Sequence, residues 1–213
     1  MKIVCVSDTH TYQPTIPECD LLIHAGDMTF DGSEEQVAKQ LAWIASTPAT
    51  RKVVVPGNHD WFFQRDVPTS ERMCELHGID LLVDELMSFE RKLIYGMPWQ
   101  PWFHNWAFNL ERDGDEMANV VDKIPTNVDI LVTHGPPMHV LDRARGQAVG
   151  CRLLRDKLRF RMDPACPRLH VFGHIHEGYG VTRDPEIPST IFVNASVCTP
   201  GYRPTNPPIT IHL

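Results

Sequence analysis

Five short apolar runs in the chain each lead, within a few residues, into side chains of the kind that hold metal ions. Ile3-Val4-Cys5-Val6 leads into Asp8 and His10, Leu21-Leu22-Ile23 into Gly26-Asp27, and Val53-Val54-Val55 into Gly57-Asn58-His59-Asp60. Ile130-Leu131-Val132 precedes His134-Gly135, and Val171-Phe172 precedes Gly173-His174-Ile175-His176. Carboxylates, a carboxamide and imidazoles make a mixed oxygen and nitrogen donor set, which suits Mn²⁺, Fe²⁺ or Zn²⁺ better than Ca²⁺. No Cys falls among these polar motifs, which argues against a structural zinc site. If the runs are neighbouring strands, their ends meet at one sheet edge, where open α/β sheets bind ligands. The chemistry implied is that of a metal-dependent enzyme.

Taken singly, each motif has a plainer explanation. Asp8-Thr9-His10 fits an ordinary surface turn, and Gly26-Asp27 fits a turn closed by an Asx hydrogen bond. Gly57-Asn58-His59-Asp60 is more specific, because a tight turn is followed at once by three polar side chains. Gly173-His174-Ile175-His176 puts two imidazoles on one side of an extended segment, a usable bidentate spacing. The weight lies in the five occurring together at five strand ends. Of the eleven His, five fall inside the motifs. His77, His139, His170 and His212 read as surface or helix-end residues, and His24 as a satisfied histidine either of the core or directly behind the ligands.

The elements that must position these ends follow from periodicity. Residues 33 to 46 read as a helix with Val37, Leu41 and Ile44 on one face, Ser33 and Gln36 at capping-box spacing, and Pro48 after its end. Further helices are expected from about Ser70 to His77 with Gly78 as the stop, from Asp113 to Lys123, and from Cys151 to Met162 closed by Pro164. Additional strands are expected at Lys92-Leu93-Ile94-Tyr95, Thr190-Ile191-Phe192-Val193 and Ile209-Thr210-Ile211. Alternating strands and helices, followed by a strand-rich final third, indicate a layered α/β sandwich with a second sheet packed on the first.

A length of 213 residues suits one domain, residues 1–213, with a core that needs no disulfide or metal staple. The formal charge of −7 argues against binding duplex nucleic acid, whose affinity rests on Lys and Arg. No run approaches a membrane span, and Lys2 to Val6 leaves no room for a leader, so a soluble, cytoplasmic protein is expected. The six Cys show no paired spacing and read as free thiols, with Cys5 in the core.

The blocks resemble the calcineurin-like metallophosphoesterases, whose pattern is DxH, GD, GNH followed by Asp or Glu, a lone His with Gly, and GHxH. All five stand here in that order from Asp8 to His176. The resemblance implies a four-layer α/β/β/α sandwich, two mixed β-sheets flanked by helices, with a two-metal site at the strand ends. Carried over by position, it implies Asp8, His10 and His176 on the first metal and Asn58, His134 and His174 on the second. Asp27 would bridge the two metals, and His59 would be the catalytic acid. The MPPED type within the family is similar at Tyr95 to Phe103, Thr133 to Pro137, His170 to Gly180, Asn194-Ala195-Ser196 and Pro204 to Pro208. That branch is associated with phosphodiester and cyclic-nucleotide hydrolysis. The phosphoprotein phosphatases carry GDxxDRG, whereas Gly26 to Gly32 here has no Arg and a shifted second Asp.

A phosphodiester repels hydroxide and has a poor leaving group. Two cations about 3.5 to 4 Å apart meet both difficulties, by neutralising phosphate oxygens and acidifying a bridging water. Mn²⁺ is the first expectation, with Fe²⁺, Zn²⁺, Co²⁺ and Ni²⁺ open. Protonating the leaving oxygen from His59 calls for a carboxylate partner against the nearby dications, with Asp60 and Asp31 the candidates. The segment Met97 to Phe108 reads either as a loop covering the core or as a platform for a nucleobase. The basic segment 143 to 168 reads as a solvated helix face, with Arg143 or Arg145 the alternative phosphate contacts. The expectation is a phosphodiesterase, monomer or homodimer, acting on a small nucleotide-type phosphoester. A phosphomonoesterase, a single-strand nuclease and a low-turnover nucleotide-binding scaffold stand as alternatives.

Overall fold

The computed structural model describes residues 1–162 and 165–213. The first three apolar runs form β1 (Lys2–Val6), β2 (Cys19–His24) and β3 (Ala49–Val54), with α1 (Glu34–Ser46) between the last two. Helices α2 (Trp61–Arg65) and α3 (Val67–Leu76) lead to the short β4 (Asp80–Leu81). A hairpin of β5 (Glu85–Phe89) and β6 (Lys92–Met97) follows, and β7 (Gln100–Pro101) pairs with β8 (Asn109–Leu110) at the base of the Trp-rich segment. Next come α4 (Asp115–Asp122), β9 (Ile130–Thr133), the ribbon β10 (Arg143–Ala144) and β11 (Gln147–Ala148), and α5 (Arg152–Asp156), which runs on into a π-helical turn. The chain ends through β12 (Leu169–Phe172), β13 (Gly180–Asp184), β14 (Ile187–Asn194) and β15 (Ile209–His212).

Two mixed sheets result. One has the order β15-β1-β2-β3-β4, parallel except for β15. The other has the order β13-β14-β12-β9-β6-β5, parallel through its four central strands and antiparallel at both edges. Strands buried on both faces are apolar throughout instead of alternating, and this is why the runs were readable. Successive side chains then serve different layers. Ile3, Cys5, Leu21, Ile23 and Val53 meet Ile130, Val132, Leu169, Val171 and Val193 between the sheets. Val4, Val6, Leu22 and Val54 pack outward against Val37, Leu41 and Ile44 of α1 and Cys74 of α3. On the far side Leu131, Phe172 and Phe192 pack against Met117, Val121, Leu154 and Leu158. The layers are therefore helix, sheet, sheet, helix, as expected.

Several local expectations are corrected. The helix expected from Ser70 begins at Val67: Pro68 sits in the first turn, where no backbone N–H is needed, and Asp66 accepts from Thr69 N at 3.3 Å. The capping box at Ser33 does not form, because Gln36 Oε1 is taken by the amides of Phe30 and Asp31 at 2.8 and 3.2 Å. The helix expected over Cys151 to Met162 is one α-helical turn continued by a π turn, and Pro164 lies outside the described residues. His170, read as a surface residue, is fully buried in β12. The second sheet draws β5, β6 and β9 from the middle of the chain, not only from the final third. Among the described residues there is no disulfide, and Cys5 is buried as expected. Among the described residues no helix is long and apolar enough to cross a membrane.

Candidate active site

The ends of β1, β2 and β3 in one sheet and of β9, β12 and β14 in the other open on a common edge. The sheets are stitched together there: Ser7 pairs with Ser196, and Ser7 N donates to Ala195 O at 2.9 Å. His174 N lies 3.1 and 3.0 Å from the two oxygens of Asp8, and Gly173 N donates to His134 O at 2.9 Å. The edge therefore brings together all eight residues singled out from the sequence. Asp8, His10 and His176 form one group of potential ligand atoms, and Asp27, His134 and His174 another. Asn58 joins the second group, with Oδ1 2.9 Å from His134 Nε2. Asp27 also groups with His10 and His59, so it lies where the clusters meet.

The backbone is bent hard to achieve this. Asp8, His10, Asp27 and His174 all have positive φ, at 49°, 43°, 56° and 67°. Such left-handed conformations are costly for residues with a Cβ and collect at sites where the surroundings over-determine them. The bend corrects the extended, bidentate reading of His174 and His176. His174 turns toward Asp27 and His134, while His176 opens a 3-10 turn and faces Asp8 and His10. Close approach does the rest: a Cβ on Gly57 would overlap Asp27 Oδ1, and one on Gly173 would overlap Asp8 Oδ2.

Four imidazoles are aimed by the main chain. Nδ1 lies 3.2 Å from Thr29 O in His10, 2.7 Å from Phe30 O in His59, 2.9 Å from Ala25 O in His134 and 3.0 Å from Thr199 O in His176. A carbonyl only accepts, so each Nδ1 carries its proton and each Nε2 faces the site. This is the arrangement that fixes tautomer and ring orientation in metal-ligating histidines. His10 Nε2 and His176 Nε2 are 3.4 Å apart, and His176 Nε2 is 3.2 Å from Asp8 Oδ1.

Electrostatics show what the site favours. Burial penalises the charge on Asp8 and Asp27, yet the His176 imidazole beside the first and His134 beside the second outweigh it and hold both carboxyls well below their usual range. Burial likewise opposes charge on His134 and His176, but Asp27 and Asp8 respectively raise each to about 9. His10 and His174, where burial dominates, are lowered, His174 to about 4. Two buried carboxylates thus call for positive charge at the Nε2 atoms of His134 and His176, where protons and divalent cations compete for the same lone pairs. The donor set fits a pair of such cations.

Comparison with known proteins settles the family. Residues 1–178 match the calcineurin-like phosphoesterase family. This chain belongs to that family. The phosphoesterase is 42% identical over 237 residues to metallophosphoesterase domain-containing protein 1 of Homo sapiens, and equally to that of Mus musculus, covering 100% of this chain and 71% of each relative. Its fold is shared with phosphopantetheinyl hydrolase of Mycobacterium tuberculosis, at TM-score 0.64 and 16% identity, over 94% of this chain and 90% of that one. Family membership implies a phosphoester hydrolase using divalent metals.

The carboxylate partner expected for His59 of this phosphoesterase is corrected. Asp60 is fully engaged elsewhere, accepting from Gly57 N, Thr29 N and the Thr29 hydroxyl at 2.9, 2.9 and 2.7 Å, and so ties the loop after β2 to the loop after β3. Asp31 accepts from Ser33 N. His59 Nδ1 bonds instead to the Phe30 carbonyl, and the carboxylate that faces its Nε2 is that of Asp27, at 4.0 Å.

Other contributors had escaped the sequence. Ser7 and Ser196 hydroxyls lie 2.6 and 2.8 Å from Asp8 Oδ2, and Asn194 Nδ2 donates to Ile175 O, inside the GHIH turn, at 2.8 Å. Phe30 and Tyr202 line the mouth. The Trp-rich segment divides between its two readings. Trp99 is structural, bonded to Asp84 and packed on Phe108, whereas Trp106 lies 4.1 Å from the His59 ring. In the basic segment, Arg152, Arg155 and Arg159 pair with Asp113, Asp156, Asp184 and Glu186, Arg143 bonds to Gly146 O, and the side chain of Arg161 lies outside the described residues.

Proposed function

We propose that this phosphoesterase is a dinuclear-metal phosphodiesterase acting on small nucleotide-type diesters, with cyclic nucleotides among the first to test. The observation that carries this reading is the position of Asp27, which groups with His134 and His174 on one side and, on the other, with His10, itself a member of the Asp8, His10 and His176 group. Asp8, His10 and His176 would hold one ion, Asn58, His134 and His174 the other, and Asp27 both. Mn²⁺ is the first candidate, and Fe²⁺, Zn²⁺, Co²⁺ and Ni²⁺ suit the same donors. Two such ions supply neutralisation of the phosphate oxygens and a water ionised near neutral pH.

The chain's own groups do the rest. His59 keeps its Nδ1–H on the Phe30 carbonyl, so Nε2, 4.0 Å from Asp27 Oδ2, faces the site. Acting in its imidazolium form, His59 gives its Nε2 proton to the leaving oxygen as the ionised water's oxygen bonds to phosphorus and the bond to that oxygen breaks, which leaves the neutral ring with Nδ1–H still on the Phe30 carbonyl. Burial of Asp8, Asp27 and His134 excludes bulk water from the reacting centre and strengthens these interactions.

The test is a panel of aryl and nucleotide mono-, di- and cyclic phosphates with protein stripped of metal and then reloaded. Turnover of diesters restored by Mn²⁺ is the expected result. Turnover of monoesters alone would move the reading to a phosphomonoesterase, and no turnover with any of the five cations would overturn it.

A further inference from the structure

The mouth of the site carries more exposed aromatic surface than its ligand geometry requires. Phe30, Tyr202 and Phe103 are 51, 47 and 58% exposed. Single exposed apolar residues are ordinary, but several gathered at the rim of a buried charged site mark a surface that a ligand covers. The rings also divide between the two donor groups. Tyr202 has ring centroids 4.9 Å from His10 and 5.6 Å from His176, and Phe30 lies 5.5 Å from Tyr202 and 6.1 Å from His10. The contact of Phe103 is instead with His174 of the second group, at 6.1 Å.

Tyr202 is held in place at some cost. Its φ is 55°, and its amide donates at 2.8 Å to Thr199 O, the same carbonyl that aims His176. One turn therefore sets both the ring and the imidazole. His59 has Trp106 as its nearest ring, at 4.1 Å, and among the groups of the two walls it contacts His10, Phe30 and Tyr202 of this side, with centroids 4.7, 5.9 and 6.3 Å away.

We infer that the site has two arm subsites, the Phe30–Tyr202 wall for a planar group on the leaving arm and the Phe103 wall for a planar group on the retained arm. The substrate class is then an open-chain phosphodiester with an aryl group or nucleobase on each arm. The assignment of arms follows from His59: its proton goes to the oxygen that departs, so the departing arm lies on its side. The P–O bond to that arm breaks as water oxygen bonds to phosphorus, and the monoester left behind stays on the Phe103 side. A cyclic nucleotide carries one base and fills one wall only. This inference rests on the diesterase reading and orders the substrates within it.

Binding tests the two walls, and turnover tests the assignment of arms. Mn²⁺-loaded protein is titrated calorimetrically with diphenyl phosphate and with methyl phenyl phosphate. Stacking on an aromatic wall predicts at least about 5-fold tighter binding of diphenyl phosphate. Phe103→Ala should bring that ratio close to one, and Phe103→Trp should preserve it. A wild-type ratio near one, or a ratio untouched by Phe103→Ala, overturns the inference whether or not any diester is hydrolysed. In turnover, Phe103→Ala should lower kcat/KM for bis(4-nitrophenyl) phosphate at least about 5-fold more than for methyl 4-nitrophenyl phosphate. Tyr202→Ala should lower both together. The reverse pattern overturns the assignment of arms. Wild-type inactivity on both diesters would refute the diesterase reading, with the binding ratio still deciding for or against the walls.

Discussion

Ser196 donates its hydroxyl to Asp8 Oδ2 at 2.8 Å across the seam between the two sheets. The same oxygen takes the Ser7 hydroxyl at 2.6 Å and lies 3.0 Å from the His174 amide. Oδ1 is turned toward His176 Nε2. Oδ2 thus takes both hydroxyls, the His174 amide is shared between the two oxygens, and Oδ1 is the one that faces His176 and the candidate cation position. Asn194 extends the arrangement, since its Oδ1 accepts from Ser196 N at 3.2 Å while its Nδ2 holds the GHIH turn. A sixth strand end, that of β14, therefore supports the five that carry the candidate ligands.

Ser196→Ala should weaken cation binding at the Asp8, His10 and His176 group by about 10-fold, the lower range for loss of a group that orients a metal ligand. The fold should lose about 1 kcal/mol, one hydrogen bond's worth. Calorimetric titration with Mn²⁺ beside urea denaturation separates the two effects. Wild-type affinity at both sites would remove Ser196 from any role in orienting Asp8.

The layered fold and the gathering of the eight candidate residues at one edge could be read from the chain because both leave a signature in residue type. Parallel strands buried on both faces are apolar without interruption, and His, Asp and Asn directly after them stand out. The groups that aim the ligands leave none. Thr29, Phe30, Ala25 and Thr199 act through backbone carbonyls, which every residue possesses. Ser7 and Ser196 are small hydroxyl residues of common type, and Phe30 and Tyr202 meet only once the chain has folded. His170 did leave a signal: it lies between Leu169 and Val171 in a run apolar on both sides, where a surface residue has no place. The π turn after α5 was hidden because side-chain periodicity over one turn does not separate π from α.

Gly57 is held to glycine by contact. Its missing Cβ would meet Asp27 Oδ1 and N and the His134 ring. Gly57→Ala should therefore push Asp27 away from the junction of the two clusters and destabilise the fold by about 1 to 3 kcal/mol, as overpacking does. Metal content by mass spectrometry under native conditions should drop below two ions per chain. Two retained ions with an unchanged melting temperature would show that the loops can give way.

His170 sets a pH dependence of stability. The Thr133 hydroxyl donates to Gly135 O at 2.7 Å, so His170 Nε2–H donates to Thr133 Oγ1 at 2.9 Å, and Nδ1 has no partner among the described residues. Burial, with Phe172 and Phe192 beside the ring, pushes the imidazole down to about 3. The unfolded chain protonates near pH 6.5 and the folded one does not, so stability falls as pH drops below that value. The contribution is about 1.4 kcal/mol per pH unit, or about 2 kcal/mol between pH 6.5 and 5. His170→Gln should flatten the profile by that amount, measured by urea denaturation at both pH values. Parallel profiles would mean that His170 takes up a proton without unfolding.

His59 can be told apart from a ligand by what its removal spares. Its Nε2 lies near Asp27 and it groups with His10 and Asp27, so geometry alone would allow it to bind a cation. Its ring is stacked at 4.1 Å on Trp106, with the exposed Phe30 on another side, which suits a group facing substrate. As the proton donor, His59→Ala should keep both ions and lose about 100- to 10,000-fold in kcat. The loss should be larger for an alkoxide leaving group than for 4-nitrophenolate, which departs with little help from an acid. If instead His59→Ala loses one ion, or slows both leaving groups equally, His59 belongs to the metal shell and the proton must come from elsewhere.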